Sequence, residues 1–191
     1  MLYKRCKCSI IAQKKHRFIF MRIFINGFMG SGKTNVGKQL AKELNYYFVD
    51  LDEFIEEKTF SKISLLFKQF GEKYFRELEK EYLQDLAVYE NMVVACGGGT
   101  ITDLESENWM NKNGTTIFLN TNFETIFKRL NQQSEIEKRP LLKEMEGIDF
   151  KKKLKSLFET RQENYSKAKI KIDNKKIETS VILIQQALQL D

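Results

Sequence analysis

Short apolar runs alternate with longer amphipathic segments along most of the chain. The apolar runs are rich in branched and aromatic residues, and each predicts a buried β-strand; they span residues 18–26, 46–52, 92–96, 115–120 and 169–173. The segments between them place apolar residues at helical spacing, as Val36, Leu40 and Leu44 do. Helices are predicted over residues 34–44, 54–90, 123–130, 150–168 and 177–190.

Strands that alternate with helices usually form a parallel sheet, because each helix carries the chain back to begin the next strand in the same direction. The pattern therefore predicts a three-layer, doubly wound α/β fold with a five-stranded parallel sheet. With 191 residues and 42% hydrophobic content, the chain is long enough for one well-filled core. No repeat or linker divides it, so we expect a single domain over residues 21–191.

The charged segment QQSEIEKRPLLKEMEGID, residues 132–149, has weak periodicity and contains the only proline, Pro140. A proline disfavours helical backbone at the residue before it, so Arg139 is expected to be extended and a helix cannot simply continue there. We interpret residues 133–147, approximately, as a mobile lid.

The net charge of +6 is concentrated at the start of the chain. Seven of the 32 Lys and Arg residues lie in the first 22 positions, which hold no Asp or Glu, so the rest carries 25 basic and 26 acidic side chains, a net charge of −1. A body without net positive charge does not fit a nucleic-acid footprint, and no apolar run is long enough to span a membrane. We expect neither partner, and we interpret residues 1–20 as a dispensable basic extension.

The cysteine and histidine positions limit the chemistry that the domain can perform. Cys6, Cys8 and Cys96 cannot form a disulfide framework, which favours a reducing cytoplasm. His16, the only histidine, lies in the basic extension. Histidine-based catalysis and histidine metal sites are therefore not expected in the domain.

Residues 27–34, GFMGSGKT, match the phosphate-loop spacing G-x-x-x-x-G-K-[ST] between a predicted strand and a predicted helix. Glycines let the backbone curl so that successive N–H groups point at phosphate oxygens. Lys33 can reach the β- and γ-phosphates, and the hydroxyl of Thr34 can ligate Mg²⁺. The candidate ATP-binding residues of the loop are Met29, Gly30, Ser31, Gly32, Lys33 and Thr34. The motif indicates a nucleoside triphosphate site and leaves the phosphoryl acceptor open.

Two carboxylates, Asp50 and Asp52, follow the second predicted strand. Ligand sites gather at the carboxyl ends of parallel strands, and alternate residues of an extended segment face the same side. Both carboxylates are therefore expected to point into the phosphate cleft. One could hold the metal while the other orients and deprotonates a hydroxyl nucleophile; the alternative is that Asp52 only caps a helix beginning at Glu53.

Four further fragments matter in combination: FRELE with Arg76, ACGGGT with Gly97, Gly98 and Gly99, KRPLL with Arg139, and RQENY with Arg161. Each alone is weak, because exposed arginines commonly pair with a neighbouring acid. Together with the phosphate loop and D-L-D, in this order, they resemble the shikimate kinase family from Met21 to the C-terminus. The resemblance implies a P-loop kinase of the nucleoside-monophosphate-kinase-like type. It also implies transfer of the ATP γ-phosphoryl group to the 3-hydroxyl of shikimate, in chorismate and aromatic amino-acid biosynthesis.

The same resemblance assigns roles to individual residues. Arg76 and Arg161 would grip the substrate carboxylate, a task that suits planar guanidinium forks. Asp52 would contact the ring hydroxyls as the catalytic base, and Asp50 would lie near Mg²⁺. Arg139 would close on the transferring phosphate and, with Lys33, complete the catalytic set. The backbone at Gly97, Gly98 and Gly99 would face the acceptor.

Some assignments stay open at the level of sequence. The residues that contact adenine are not fixed, with Arg129 and either Lys175 or Lys176 as candidates. Another small-molecule kinase, such as a gluconate kinase, is an alternative function. A non-catalytic nucleotide-binding paralogue is a second alternative, although Lys33, Asp52 and Arg139 are all present. We expect a monomer.

Overall fold

The structure, a computed structural model, describes residues 21–189. The expected extension at residues 1–20, the start of the first predicted strand and the two C-terminal residues lie outside this range. The strands are β1 (Arg22–Asn26), β2 (Tyr47–Asp50), β3 (Met92–Ala95), β4 (Thr115–Asn120) and β5 (Ile170–Asp173). The helices are α1 (Lys33–Leu44), α2 (Leu51–Thr59), α3 (Ile63–Asp85), α4 (Leu104–Asn113), α5 (Phe123–Leu130), α6 (Gln133–Lys138), α7 (Pro140–Met145), α8 (Phe150–Tyr165) and α9 (Ile177–Ala187).

The five strands form one sheet in the order β2-β3-β1-β4-β5, and every neighbouring pair is parallel. The predicted five-stranded parallel sheet is confirmed. Because β1 is central, with β3 on one side and β4 on the other, the carboxyl ends of all three strands meet at one edge. The phosphate loop leaves β1 at this edge, where the topology of such sheets places ligands.

Two hydrophobic cores lie on opposite faces of the sheet, because successive residues of a strand point to opposite faces. Ile23 and Ile25 of β1 pack with α1 and α9 on one face. Phe24, between them, belongs to the second and larger core, which is built with α2, α3, α4, α5 and α8. The arrangement is the three-layer architecture that alternating strands and helices predict.

Three local predictions differ from the structure. α4 was not predicted as a helix, because its polar sequence LESENWMNKN lacks a continuous apolar stripe. α2 begins at Leu51 rather than Glu53, so Asp52 lies in the first helical turn and not in an extended strand. The lid contains two short helices, α6 and α7, separated at Arg139.

Arg139 itself follows the sequence prediction. Its backbone is extended, with φ −120° and ψ 110°, and Pro140 occupies the first position of α7. Proline fits that position because its missing N–H would have no intrahelical partner there. Movement of the lid remains a prediction.

α3 consists of two helical segments joined at Gly71, which has φ 81° and ψ 174°. A side chain would strain this backbone, since positive φ angles favour glycine. The second segment carries Arg76 towards the sheet edge. None of the helices within residues 21–189 has the length and apolar character needed to span a bilayer.

Candidate active site

The phosphate loop connects β1 to α1 as its spacing predicts. Gly27, Gly30 and Gly32 adopt φ angles of 154°, 74° and 101°, which side-chain-bearing residues rarely adopt. Gly32 is the N-cap of α1, so the loop ends where the helix presents unpaired N–H groups and the positive end of its dipole. This geometry suits an anion such as a phosphate group.

Lys33, the first residue of α1, lies against the loop. Its ammonium group donates hydrogen bonds to the carbonyl oxygens of Gly27 at 2.8 Å and Phe28 at 3.1 Å. Burial lowers the pKa of Lys33 to about 8, although the nearby carboxylates of Asp52 and Asp50 favour its charged form. The lysine is therefore held at the phosphate end of the site.

Asp50 and Asp52 both reach the site, but not through the strand geometry that was predicted. Asp50 is the N-cap of α2: one carboxylate oxygen accepts from the Asp52 N–H at 3.1 Å, and the other accepts from the Thr34 hydroxyl at 2.7 Å. The capping role considered for Asp52 thus belongs to Asp50. Asp52 instead projects from the first turn of α2 towards the cleft.

The pKa of Asp52 is raised to about 7, first by burial and then by repulsion from the carboxylates of Glu79 and Asp50. Lys33 and Arg76 act in the opposite direction. A carboxyl group whose pKa lies near neutrality is suited to exchange a proton with a hydroxyl group at physiological pH.

A large cleft of about 770 Å³ opens at the carboxyl ends of the strands. The predicted loop residues that line it are Met29, Gly30, Gly32, Lys33 and Thr34, together with Asp50, Asp52 and Arg139. Ser31 is fully buried beneath the loop and does not line the cleft. A small cavity of about 100 Å³ adjoins the large cleft and shares Met29, Asp52, Gly98 and Arg139 with it.

The small cavity brings together the two arginines that are far apart in the sequence. Arg76 from α3 and Arg161 from α8 line it with Asp52 and the three glycines. Arg161 is only 6% exposed, and its Nη1 donates to the carbonyl oxygen of Gly98 at 3.1 Å. No ion pair forms between Arg161 and its neighbours Glu159 or Glu163 within the described range. Its guanidinium remains available to an anion.

Arg76 does have acidic partners on its own helix. It forms ion pairs with Glu72 at 2.9 Å and with Glu79. Glu79 is 2% exposed, lines the small cavity, and also accepts a hydrogen bond from Thr100. Sequence reasoning missed Glu79, although its place three residues after Arg76 puts both side chains on one helix face.

The glycine run at residues 97–99 leaves room for these side chains. A Cβ on Gly97 would overlap the Glu79 carboxylate and lie 2.9 Å from Oδ1 of Asp52. A Cβ on Gly99 would overlap the Arg76 guanidinium. The run is therefore a spatial requirement of the cavity, as three successive glycines suggested.

Arg139 lies between the large cleft and the small cavity and lines both. Its Nη1 contacts the side chain of Glu135 and lies 3.2 Å from the Glu135 carbonyl oxygen, which holds the guanidinium against α6. Arg129 also lines the large cleft and donates to the carbonyl oxygen of Gly30, in the phosphate loop, at 2.7 Å. Lys175 and Lys176 line the same cleft.

The candidate metal ligands, Thr34 and Asp50, present adjacent oxygen atoms at the phosphate end of the large cleft. Hydroxyl and carboxylate oxygens are the donors that Mg²⁺ prefers. Residues 21–189 contain no cluster of three or more His, Cys, Asp or Glu residues arranged to hold a metal. Thr34 and Asp50 could supply one or two protein ligands to such an ion, and phosphates and water would supply the others.

The fold and the site define a P-loop kinase of the nucleoside-monophosphate-kinase-like type. Residues 29–190 match the family described as "Shikimate kinase". The chain belongs to the shikimate kinase family. A shikimate kinase from Persephonella marina is 44% identical over 150 residues, which cover 78% of this chain and 87% of that protein.

Solved structures agree with this assignment. Shikimate kinase from Acinetobacter baumannii, in complex with shikimate, aligns with a TM-score of 0.81 at 30% identity, covering 91% of this chain and 96% of that one. Shikimate kinase from Bacteroides thetaiotaomicron aligns with a TM-score of 0.77 at 35% identity, covering 89% and 99%. A gluconokinase from Sinorhizobium meliloti, at 17% identity and a TM-score of 0.57, shares the fold alone.

Proposed function

We propose that this protein transfers the γ-phosphoryl group of ATP to the 3-hydroxyl of shikimate, giving shikimate 3-phosphate and ADP. The reaction belongs to chorismate and aromatic amino-acid biosynthesis. One observation carries the proposal: two arginines from different helices line a small cavity with Asp52, and that cavity shares Asp52 and Arg139 with the large cleft. Membership of the shikimate kinase family supports the same conclusion.

The small cavity suits a small hydroxylated ring acid. The guanidinium groups of Arg76 and Arg161 would bind the carboxylate through charge-assisted hydrogen bonds. Ile63, Phe67 and Phe75 supply apolar walls that a ring can pack against. A polyol such as gluconate lacks the ring, so these walls favour shikimate over that acceptor.

The large cleft would hold ATP on the phosphate loop, with Lys33 near the β- and γ-phosphates. Asp52 lines both the large cleft and the small cavity. It would therefore orient the acceptor hydroxyl and receive its proton as the new O–P bond forms. Arg139, which faces both spaces, would stabilise the negative charge on the phosphoryl group during transfer. These three residues form the proposed catalytic set.

We further propose that Thr34 and Asp50 hold Mg²⁺ together with the nucleotide. The ion would neutralise charge on the phosphate oxygens. The Thr34 hydroxyl and the Asp50 carboxylate already lie 2.7 Å apart, so little rearrangement is needed to direct both oxygens at one ion. A monomeric enzyme in the cytoplasm is the expectation that goes with this function, and the free, buried thiol of Cys96 supports a reducing compartment.

The decisive experiment is a coupled assay of ADP release with shikimate, quinate and gluconate offered separately. Saturable ADP release with shikimate, and at most weak release with the other two, is the expected result. Preferential use of gluconate would instead support the alternative small-molecule kinase. Binding of ATP without turnover on any acceptor would support the non-catalytic paralogue.

A further inference from the structure

A carbonyl group of the phosphate loop is held by side chains that lie outside the loop motif. The carbonyl oxygen of Ser31 accepts hydrogen bonds from Nδ2 of Asn174 at 2.7 Å and from the hydroxyl of Thr121 at 3.1 Å. Thr121 directly follows β4 and Asn174 directly follows β5. The two contacts therefore tie the carboxyl ends of two strands to the loop.

The amide of Asn174 is fixed in one orientation. The hydroxyl of Ser180, which is fully buried in α9, donates to its Oδ1 at 2.8 Å. The backbone N–H of Asn174 donates to the Asn120 carbonyl oxygen at 2.7 Å. Because Oδ1 of Asn174 accepts from Ser180, the NH₂ group of the same amide faces the carbonyl oxygen of Ser31. The opposite orientation of the amide would bring two acceptor oxygens together with no proton to share.

Holding this carbonyl also sets the direction of the next amide. In a trans peptide the C=O and the following N–H lie in one plane and point in opposite directions. With the Ser31 carbonyl turned towards Asn174 and Thr121, the N–H of Gly32 points the other way. Gly32 lines the large cleft, and its N–H has no hydrogen-bond partner within residues 21–189.

We propose that Asn174 and Thr121 are positioning residues that aim the Gly32 N–H at the β-phosphate of the bound nucleotide. Backbone N–H groups of such loops bind phosphate oxygens, and an amide held in place loses less freedom on binding. The inference rests on the proposed ATP-binding role of the loop. It adds two side chains that no loop motif contains.

The test compares the binding of ADP and AMP to the full-length protein by calorimetry. Asn174→Ala and Thr121→Val should each weaken ADP binding about tenfold, which is the scale of one lost hydrogen bond. AMP has no β-phosphate, so its affinity should change less than about twofold. Equal weakening of ADP and AMP, or no weakening of ADP, would overturn the inference.

Matched variants separate positioning from general damage. Thr121→Ser keeps the hydroxyl donor and should bind ADP as the wild type does. Thr179→Ala removes an exposed hydroxyl next to Ser180 on α9 and should change neither affinity. If Asn174→Ala does not fold, as judged by its thermal unfolding, the nearly isosteric Thr121→Val and its Thr121→Ser partner still decide the question.

Kinetics distinguish this inference from the proposed function. In the wild type, ADP release with shikimate tests the proposed function by itself. In Asn174→Ala, the KM for ATP should rise while kcat and the KM for shikimate stay unchanged, because the Gly32 amide would contact the nucleotide in both the ground state and the transition state. A fall in kcat at an unchanged KM for ATP would contradict the positioning role.

Discussion

The surroundings of Asp52 suit it to the proposed role of catalytic base. It lies in the first turn of α2, near Lys33, Asp50 and Glu79, and its pKa is raised to about 7. Asp52→Asn should therefore remove most turnover and leave ATP binding nearly intact, since the amide keeps the shape and loses the base. The measurements are kcat and the Kd for ATP; unchanged kcat would exclude Asp52 as the base.

The raised pKa of Asp52 has consequences for both activity and stability. In the wild type, kcat/KM for shikimate should fall as the pH drops below about 7, because the base becomes protonated. Between the ordinary pKa of an aspartate and about 7, Asp52 keeps its proton in the folded state and loses it in the unfolded state. The free energy of unfolding should therefore decrease as the pH rises through this window. Denaturant unfolding at several pH values should show this decrease in the wild type and a smaller one in Asp52→Asn.

The two cavity arginines should differ in how their loss affects the reaction. Arg161→Ala should raise the KM for shikimate by a factor that corresponds to about 2–5 kcal/mol of lost charge pairing. Arg76→Ala should raise KM and also lower kcat, because it leaves Glu79 without its ion pair beside Asp52 and raises the pKa of Asp52 further. Lys155→Ala, an exposed change on α8, is the matched control. An unchanged KM in both arginine variants would place the substrate carboxylate elsewhere.

At the scale of elements, the lid region consists of two short helices, α6 and α7, that are separated at Arg139. Arg139→Ala should lower kcat by ~10³ or more, the scale known for arginine fingers, because its guanidinium faces both spaces of the site. Lys138→Ala is a close control: Lys138 pairs with the same Glu135, at 3.2 Å, and lines neither space. A loss of less than tenfold in kcat for Arg139→Ala would contradict the proposed role.

The sequence predictions were correct where a feature depends on residues that are adjacent in the chain. The phosphate loop and the extended Arg139 depend on a few adjacent residues, so spacing and Pro140 were sufficient to predict them. Asp52 was placed in the right cleft on the wrong element, because a strand and the first turn of a helix can direct a carboxylate to the same point. α4 was missed because its polar sequence has few apolar residues to show helical spacing.

Residues defined by long-range contacts could not be found from the sequence. Glu79 acquires its place from Arg76, Thr100 and the absence of a side chain at Gly97. Asn174 reaches Ser31 across 143 positions of the chain. No periodicity encodes such contacts, because they exist only after the sheet has brought the strand ends together.

At the scale of the whole molecule, the positive net charge and the catalytic body are separable. The first 22 residues hold seven basic and no acidic side chains, and the rest of the chain has a net charge of −1. The large cleft and the small cavity of the proposed active site are both lined by residues within 29–178. A protein that begins at Met21 should therefore retain kcat and both KM values within about twofold, because it loses no residue of the site. Steady-state kinetics of the two forms, together with their salt-dependent binding to RNA, would test this prediction. RNA binding should be weak, and any that occurs should disappear with residues 1–20, since residues 21–191 carry 26 basic and 26 acidic side chains and have no net charge. A large fall in kcat in the shorter form, at unchanged thermal stability, would show instead that the basic segment contributes to the reaction.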